Sequence, residues 1–266
     1  MRVLLVHHGL RPAPGRPVTG GALRAEQHAV ALGEAGHDVI SLHRAQDGEG
    51  GFRSAADLLH MARALNPDRV VCVQAADAAA LASLDRPLAV DLFAPRLLEA
   101  AFGDTLAEAT AQVMGALRAG DVFLVSNARQ RWSWSSVLAL AGFDPADDPT
   151  RLVPIAAPQG VAHQPAPESP VFVAGGARWP WQSPQDGLQR VLAHLDKRKV
   201  GTVRWFGGAP LLGTADGGWS LPEHPRLERP GWLPYDGLLK AYAEATAAID
   251  WMGHNLERRL EFCFVV

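Results

Sequence analysis

The chain has 266 residues, a formal net charge of −3, and 48% hydrophobic and 20% charged residues. This composition excludes an intrinsically disordered chain, and the length suits two small domains better than one. No long basic stretch is present, which argues against nucleic acid as a partner.

The N-terminal apolar run is too short for a signal-peptide core, because His7 interrupts it. No stretch approaches the roughly 20 apolar residues that a membrane-spanning helix needs. The two cysteines, Cys72 and Cys263, lie far apart and fit no disulfide framework or zinc-site spacing. The sequence therefore predicts a cytoplasmic protein without a transmembrane segment.

Strand-like and helix-like segments alternate through the first 157 residues. Val3–Val6 is a continuous apolar run, typical of a parallel strand covered on both faces. Ala22–Glu34 has a helical period that includes Leu23, His28 and Val30. This βαβα order predicts a mostly parallel, doubly wound sheet. The other elements predicted here are strands Val39–Leu42, Arg69–Gln74, Pro87–Leu92, Val122–Ser126 and Leu152–Pro154, and helices Phe52–Leu65, Leu97–Leu117 with a break near Gly103, and Asn127–Gly142.

A proline-rich stretch, Ala156–Pro170, has no periodic pattern and predicts an interdomain linker at residues 158–170. The alternation then restarts, so the fold class is α/β with two Rossmann-like, doubly wound domains at residues 1–157 and 171–266. The elements predicted in the second domain are strands Val171–Gly176, Val203–Gly208, a short one within Leu227–Leu233, and Ala247–Met252, and helices Pro184–Lys197 and Tyr235–Ala245.

The first candidate site lies between the first strand and the first helix. Gly20 and Gly21 let a ligand approach the backbone closely, and the helix that follows offers free N–H groups. Ligands of open α/β sheets bind outside the carboxyl ends of strands, which is the position of this loop. His7 and His8 end the same strand, and His8 is our candidate for a ligand contact. A tight turn without a ligand is the alternative.

The second candidate site follows strand Val171–Gly176. Gly175 and Gly176 form a turn before a helix that Ser183 is expected to cap, with Pro184 in the first helical position. A glycine-lined loop at a helix N-terminus, with Arg178 nearby, suits a diphosphate. A capped helix at a domain interface is the alternative.

Four further side chains are candidates for substrate contact. Trp179 and Trp181 are placed to cover a base or a sugar face, or to pack at a domain interface. Asp91 ends a predicted strand and is the candidate catalytic residue, with helix capping as the alternative. Glu257 is a candidate donor contact, with a solvated surface charge as the alternative. Spacing identifies no Ser/His/Asp triad and no metal-ligand cluster, so no metal is expected.

Five segments, in chain order, resemble motifs of bacterial family 4-like glycosyltransferases of the GT-B fold. In the third of them, Ser183 replaces the aspartate of the family's Gly-Gly-x-x-Trp-x-Trp-x-Asp-Pro motif. The five segments are Val90–Glu99, Ser126–Trp134, Gly175–Pro184, Gly231–Tyr235 and Asn255–Phe262.

The resemblance implies a transferase that moves a sugar from a nucleotide diphosphate sugar to a glycan or lipid-linked acceptor, with retention of configuration. The first domain would hold the acceptor and the second domain the donor. The family generally needs no bound metal or other cofactor, because a helix dipole and basic side chains stabilise the leaving diphosphate. A lipid-linked acceptor would bring peripheral membrane association. The acceptor residues implied are His8, Gly20 and Gly21, and the donor residues are Gly175, Gly176, Arg178, Trp179, Trp181 and Glu257.

The chain departs from the family at its end. Phe262–Val266 stands where the family continues into a helix bearing the glutamate that holds the donor ribose. This predicts an incomplete second domain and makes a degenerate, non-catalytic fragment the alternative function. Two other doubly wound pairs stay open: a sugar-phosphate epimerase, for which a dinucleotide fingerprint is missing, and a periplasmic-type binding protein, for which a signal peptide is missing.

Overall fold

The computed structural model describes residues 1–9, 11–45, 51–144, 146–156, 164–165, 167–211, 217–250 and 255–260. The chain divides into two compact units: Met1–Arg11 with Val18–Ala156, and Pro12–Pro17 with Ala157–Val266. Residues 158–163 and 166 of the predicted linker, and the chain end Phe262–Val266, lie outside the described residues. No helix within the described ranges is long and apolar enough to cross a membrane.

Six parallel strands form the sheet of the first unit. In chain order they are β1 (Arg2–His8), β2 (Asp38–Arg44), β3 (Arg69–Cys72), β4 (Leu88–Asp91), β5 (Val122–Val125) and β6 (Thr150–Leu152). Their order in the sheet is β2-β1-β3-β4-β5-β6, which confirms the predicted doubly wound arrangement. The strand order reverses between β1 and β3, and open α/β sheets bind ligands outside the carboxyl ends of strands at such a point.

Six helices connect these strands. They are α1 (Gly20–Glu34), α2 (Ala55–Leu65), α3 (Ala75–Leu81), α4 (Arg96–Ala100), α5 (Leu106–Ala119) and α6 (Ala128–Ala141). The break expected near Gly103 separates α4 from α5. Helix α3 was not predicted, because its short, alanine-rich sequence has no amphipathic period. Helix α2 begins later than predicted because Ser54 caps it, with its Oγ accepting a hydrogen bond of 3.1 Å from the amide of Asp57.

The helix predicted over Ala22–Glu34 is confirmed as α1. Of the periodic residues, Val30 is exposed, whereas Leu23 and His28 are partly buried. Small side chains let the helix lie close to Leu5 and Val73 on the sheet. The buried residues of α1 are Ala22, Arg24, Ala25 and Ala29.

The second unit has four parallel strands, in the order β10-β7-β8-β9. Its elements are β7 (Val171–Ala177), α7 (Gln185–Arg198), β8 (Thr202–Gly208), β9 (Leu227–Gly231), α8 (Tyr235–Glu244), β10 (Ala247–Ala248) and α9 (Leu256–Leu260). The predicted cap at Ser183 is wrong: α7 has Pro184 at its N-cap position and no side-chain cap. The chain instead turns before the helix, where the amide of Gln182 donates to the carbonyl of Trp179 at 3.1 Å.

The turn predicted at Gly175 and Gly176 is wrong, because both glycines lie within β7, where its carboxyl end meets that of β8. Gly175 pairs with Phe206, and Gly176 pairs with Gly207. A Cβ atom at Gly175 would overlap the carbonyl oxygen of Phe206, and one at Gly207 would overlap the carbonyl oxygen of Gly176. All three glycines also have positive φ angles, between +99° and +146°. Glycine alone tolerates the close backbone approach at Gly175 and Gly207 and adopts all three positive φ angles readily. The two strand backbones therefore lie close together at this point.

We predict that Gly207→Ala destabilises the second unit by about 2 kcal/mol or more, because it adds a backbone overlap to an unfavourable φ. Native-state hydrogen exchange of peptides from residues 171–208 measures the effect. Gly237→Ala, in α8, is the matched control, since its Cβ would make only ordinary van der Waals contacts with Pro234 and Leu233. The control should be neutral or stabilising by up to about 1 kcal/mol. Equal effects of the two substitutions would contradict the prediction.

Candidate functional site

Asp91, the predicted catalytic residue, ends β4 with its carboxylate enclosed. Oδ2 accepts hydrogen bonds from Nε of Arg24 at 2.7 Å and from Nε2 of His28 at 2.6 Å. Oδ1 accepts one from the amide of Phe93 at 3.1 Å. The Asp91 side chain has 0% exposure and the Arg24 side chain 1%. A direct role in catalysis stays a prediction, and the contacts favour a role in positioning other groups.

Arg24 connects three parts of the first unit. Besides Asp91, its guanidinium donates to the carbonyls of Val153 at 2.7 Å and Pro154 at 2.9 Å, just after β6. Arg24 and His28 are four residues apart in α1, so both reach the same carboxylate. The i, i+4 spacing was the sequence signal for this cluster, but it identifies no partner by itself.

His8, a predicted acceptor contact, pairs with a buried aspartate. Its Nε2 lies 2.6 Å from Oδ2 of Asp77, and Arg44 contacts the other carboxylate oxygen. Burial raises the pKa of Asp77, but hydrogen bonds and charges from His8 and Arg44 outweigh burial and hold it below its usual value. The carboxylate is therefore ionised at neutral pH. The His8 ring is partly exposed, and its contact with an acceptor stays a prediction.

His7, next to it on β1, is buried on the opposite face of the sheet. Neither of its ring nitrogens has a hydrogen-bond partner among the described residues. Its ring centroid lies 6.2 Å from that of His43. Burial, together with the charges of His43 and Arg11, lowers the pKa of His7 to about 4. The imidazole is therefore neutral at physiological pH.

Gly20 and Gly21, the other predicted acceptor residues, begin α1. Thr19 caps this helix, with its Oγ1 accepting from the amide of Ala22 at 3.2 Å. A Cβ at Gly20 would point into open space, whereas one at Gly21 would lie 2.8 Å from the side-chain nitrogen of Gln74. The helix N-terminus is therefore approachable at Gly20 and packed at Gly21.

One of the predicted donor residues, Arg178, lines a cavity of about 490 Å³ in the second unit, whereas Gly176, Trp179, Trp181 and Glu257 are not among its lining residues. Arg178 reaches it directly, and its amide donates to the carbonyl of Gly208 at 2.8 Å. The volume falls in the range of small-molecule sites. Gly175 borders a separate gap of only about 10 Å³, too small for a ligand. The residues lining the larger cavity are Arg178, Trp205, Gly207, Gly208, Ser220, Leu221, Glu223, Arg229 and Gly231.

Of these lining residues, the sequence predicted only Arg178 as a functional residue. Gly207 and Gly208 repeat the strand-then-Gly-Gly pattern of Gly175 and Gly176, and this repetition was the available signal. Arg229 is different: it lies on β9, for which the sequence predicted only a short strand within Leu227–Leu233. Arg229 and Arg178 line one cavity because of the order of the strands in the sheet, which the sequence does not show.

The two predicted aromatic contacts stack on each other. The rings of Trp179 and Trp181 are 5.1 Å apart and within 4° of parallel. Trp181 is buried, and its carbonyl accepts from the side chain of Asn255 at 2.8 Å. The indole of Trp219 donates to the carbonyl of Trp179 at 3.0 Å. Their contact with a donor stays a prediction.

Glu257 is buried on α9, so the alternative of a solvated surface charge is wrong. Its donor contact stays a prediction. Within the described residues, no group of three or more histidine, cysteine, aspartate or glutamate side chains is arranged to hold a metal ion.

Known structures with the same architecture settle the fold. HepE of Anabaena, solved with UDP and glucose, aligns with a TM-score of 0.56 at 14% identity over 92% of this chain and 73% of its own. A putative UDP-N-acetylglucosamine 2-epimerase of Listeria monocytogenes also gives 0.56, at 12% identity over 93% and 73% of the two chains. The chain has the GT-B fold.

A third GT-B structure, MnaA of S. aureus with UDP, aligns with a TM-score of 0.51 at 11% identity, over 94% of this chain and 74% of its own. No protein-family model and no curated protein matches the sequence. The resemblance to family 4 therefore stays a prediction within the GT-B fold.

We predict that Asp91→Asn lowers the free energy of unfolding by about 3–5 kcal/mol, because Arg24 would lose its buried counter-charge. Asp38→Asn is the matched control. It removes an exposed ion pair with Arg2 and should cost less than about 1 kcal/mol.

Chemical denaturation, with hydrogen exchange to locate the effect in the first unit, measures both substitutions. A fully stable Asp91→Asn protein that has lost catalytic activity would contradict the positioning role and favour direct catalysis by Asp91.

Proposed function

We propose that this GT-B chain is a glycosyltransferase that binds a nucleoside diphosphate sugar in the cavity of its second unit. The observation that carries the proposal is the composition of that cavity. Backbone at Gly207 and Gly208 leaves room for close approach, and Arg178 and Arg229 supply two guanidinium groups. Guanidinium groups bind phosphate oxygens in bidentate geometry.

The same arrangement suits the chemistry of glycosyl transfer. The bond between the anomeric carbon and the diphosphate oxygen breaks, and a bond from that carbon to an acceptor hydroxyl oxygen forms. The diphosphate leaves with the bonding electron pair, and the acceptor releases its proton. Positive charge fixed at the leaving oxygens lowers the barrier, because charge develops there in the transition state.

The finer parts of the proposal come from the family resemblance. They are retention of configuration at the anomeric carbon, an acceptor that is a glycan or a lipid-linked sugar, and peripheral membrane association where the acceptor is lipid-linked. The structures of HepE with UDP and glucose and of MnaA with UDP support UDP as the first nucleotide to test.

A nucleotide-sugar 2-epimerase is the second candidate, because a putative enzyme of that kind matches the fold as well as HepE does. Both candidates share a nucleotide-sugar substrate and differ in the product. Incubation with UDP-sugars, with and without acceptors, separates them by chromatography. Transfer gives free UDP and a glycosylated acceptor, whereas epimerisation acts on the sugar itself.

We predict that the full chain binds a nucleoside diphosphate and that Arg178→Met weakens binding by about tenfold or more, because one charge-assisted contact is lost. Isothermal titration calorimetry with UDP, GDP and ADP measures this. Arg190→Met, on the exposed surface of α7, is the matched control and should bind like the wild type.

Absence of binding by all three nucleotides to a folded protein would make the proposal wrong and would favour the degenerate, non-catalytic alternative. Binding that Arg178→Met leaves unchanged would place the nucleotide elsewhere.

A further inference from the structure

Arg229, one of the two arginines lining the cavity, is held by a neighbouring carboxylate. Its Nη1 donates to Oε1 of Glu223 at 2.8 Å, and its Nη2 donates to the carbonyl of Pro222. Glu223 lines the same cavity. The side chain of Glu223 is 91% exposed and that of Arg229 is 34% exposed.

A carboxylate and a phosphate bind a guanidinium group with the same donors and similar geometry. The contact with Glu223 therefore occupies donors that a phosphate in the cavity would use. An exposed ion pair is weak, and Glu223 lies outside any helix or strand, so its side chain can turn to solvent at little cost.

We infer that Glu223 is an internal competitor for anions at Arg229, and that a diphosphate binds in this cavity by displacing its carboxylate. This inference rests on the proposed function for the identity of the natural ligand. It adds Glu223 to the cavity as the residue that competes with an incoming anion for the guanidinium of Arg229.

The competition has a consequence for selectivity. A diphosphate carries more negative charge than one carboxylate and displaces it readily. A nucleoside without phosphates offers no charge and leaves the Arg229–Glu223 pair closed. Glu223 thus sets a threshold that a strongly charged nucleoside diphosphate passes and a weakly bound anion does not.

The strand itself provides a control. Glu228 precedes Arg229 on β9, and neighbouring side chains of a strand point to opposite faces of the sheet. Glu228 pairs with Nε of Arg204 at 2.7 Å, and neither residue lines the cavity. Glu228→Gln therefore changes the net charge as Glu223→Gln does, without freeing Arg229.

The test is calorimetric titration of the full chain with UDP and, separately, with inorganic pyrophosphate, at about 0.15 M salt, where charges farther apart than about 8 Å are largely screened. Glu223→Gln should tighten binding by about 2- to 5-fold, the equivalent of one exposed ion pair. Glu228→Gln should leave binding unchanged. Arg229→Met should weaken binding about tenfold or more. Circular dichroism melts confirm that each variant is folded.

The double variant Arg229→Met with Glu223→Gln tests whether Glu223 acts on binding through Arg229. With Arg229 gone, Glu223→Gln should no longer tighten binding, because there is no guanidinium to release. Three results would overturn the inference. They are tighter binding that persists in the double variant, equally tighter binding in Glu228→Gln, and unchanged binding in Glu223→Gln.

The two probes separate this inference from the proposed function. If pyrophosphate binds with the expected pattern and no nucleoside diphosphate binds, the competitor role stands and the proposed function is wrong. If UDP binds and the variants at positions 223 and 229 change nothing, the inference is wrong and the proposed function stands. If neither probe binds, both are wrong.

Discussion

The close approach of two strand backbones determines the geometry of the second unit. Gly175 and Gly176 of β7 meet Phe206 and Gly207 of β8 where a Cβ atom at Gly175 or Gly207 would overlap the opposite carbonyl oxygen. Because no side chain fills this junction, the carboxyl ends of the strands remain accessible backbone. Arg178 follows β7 directly, and its amide is fixed on the carbonyl of Gly208. The glycines thus both shape the sheet and position the first cation of the cavity.

Charged groups serve different purposes in the two units. In the first, Arg24 and Asp91 neutralise each other inside the protein and tie α1 to the ends of β4 and β6. A buried pair of this kind fixes the arrangement of elements more than it adds stability. In the second, Arg178 and Arg229 line a cavity, and the partner of Arg229 is an exposed carboxylate that can move away. This second arrangement suits the binding of an anion.

The sequence predicted the fold well because apolar runs and turn residues report local structure directly. The strands of both sheets were predicted, although β6 spans Thr150–Leu152 rather than Leu152–Pro154, and Arg178 follows β7. The predicted Gly-Gly turn is wrong, because Gly175 and Gly176 lie within β7 and pair with β8. Residues whose role depends on a distant partner were missed. Arg24 is a buried charged residue that helical periodicity does not single out. Arg229 lines the same cavity as Arg178 although β8 lies between their strands in the sheet. Ser183 is not the cap because α7 begins at Gln185, which puts Pro184 in the N-cap position.

The central claim is that a nucleoside diphosphate binds in the cavity between the ends of β8 and β9. A crystal structure of the chain with UDP tests it most directly. We expect the diphosphate within hydrogen-bond distance of Arg178 and Arg229, over Gly207 and Gly208, with Glu223 turned away from Arg229. Two results would contradict the claim. One is density for the diphosphate at the N-terminus of α1, beside Gly20, and the other is a cavity that stays empty at saturating UDP.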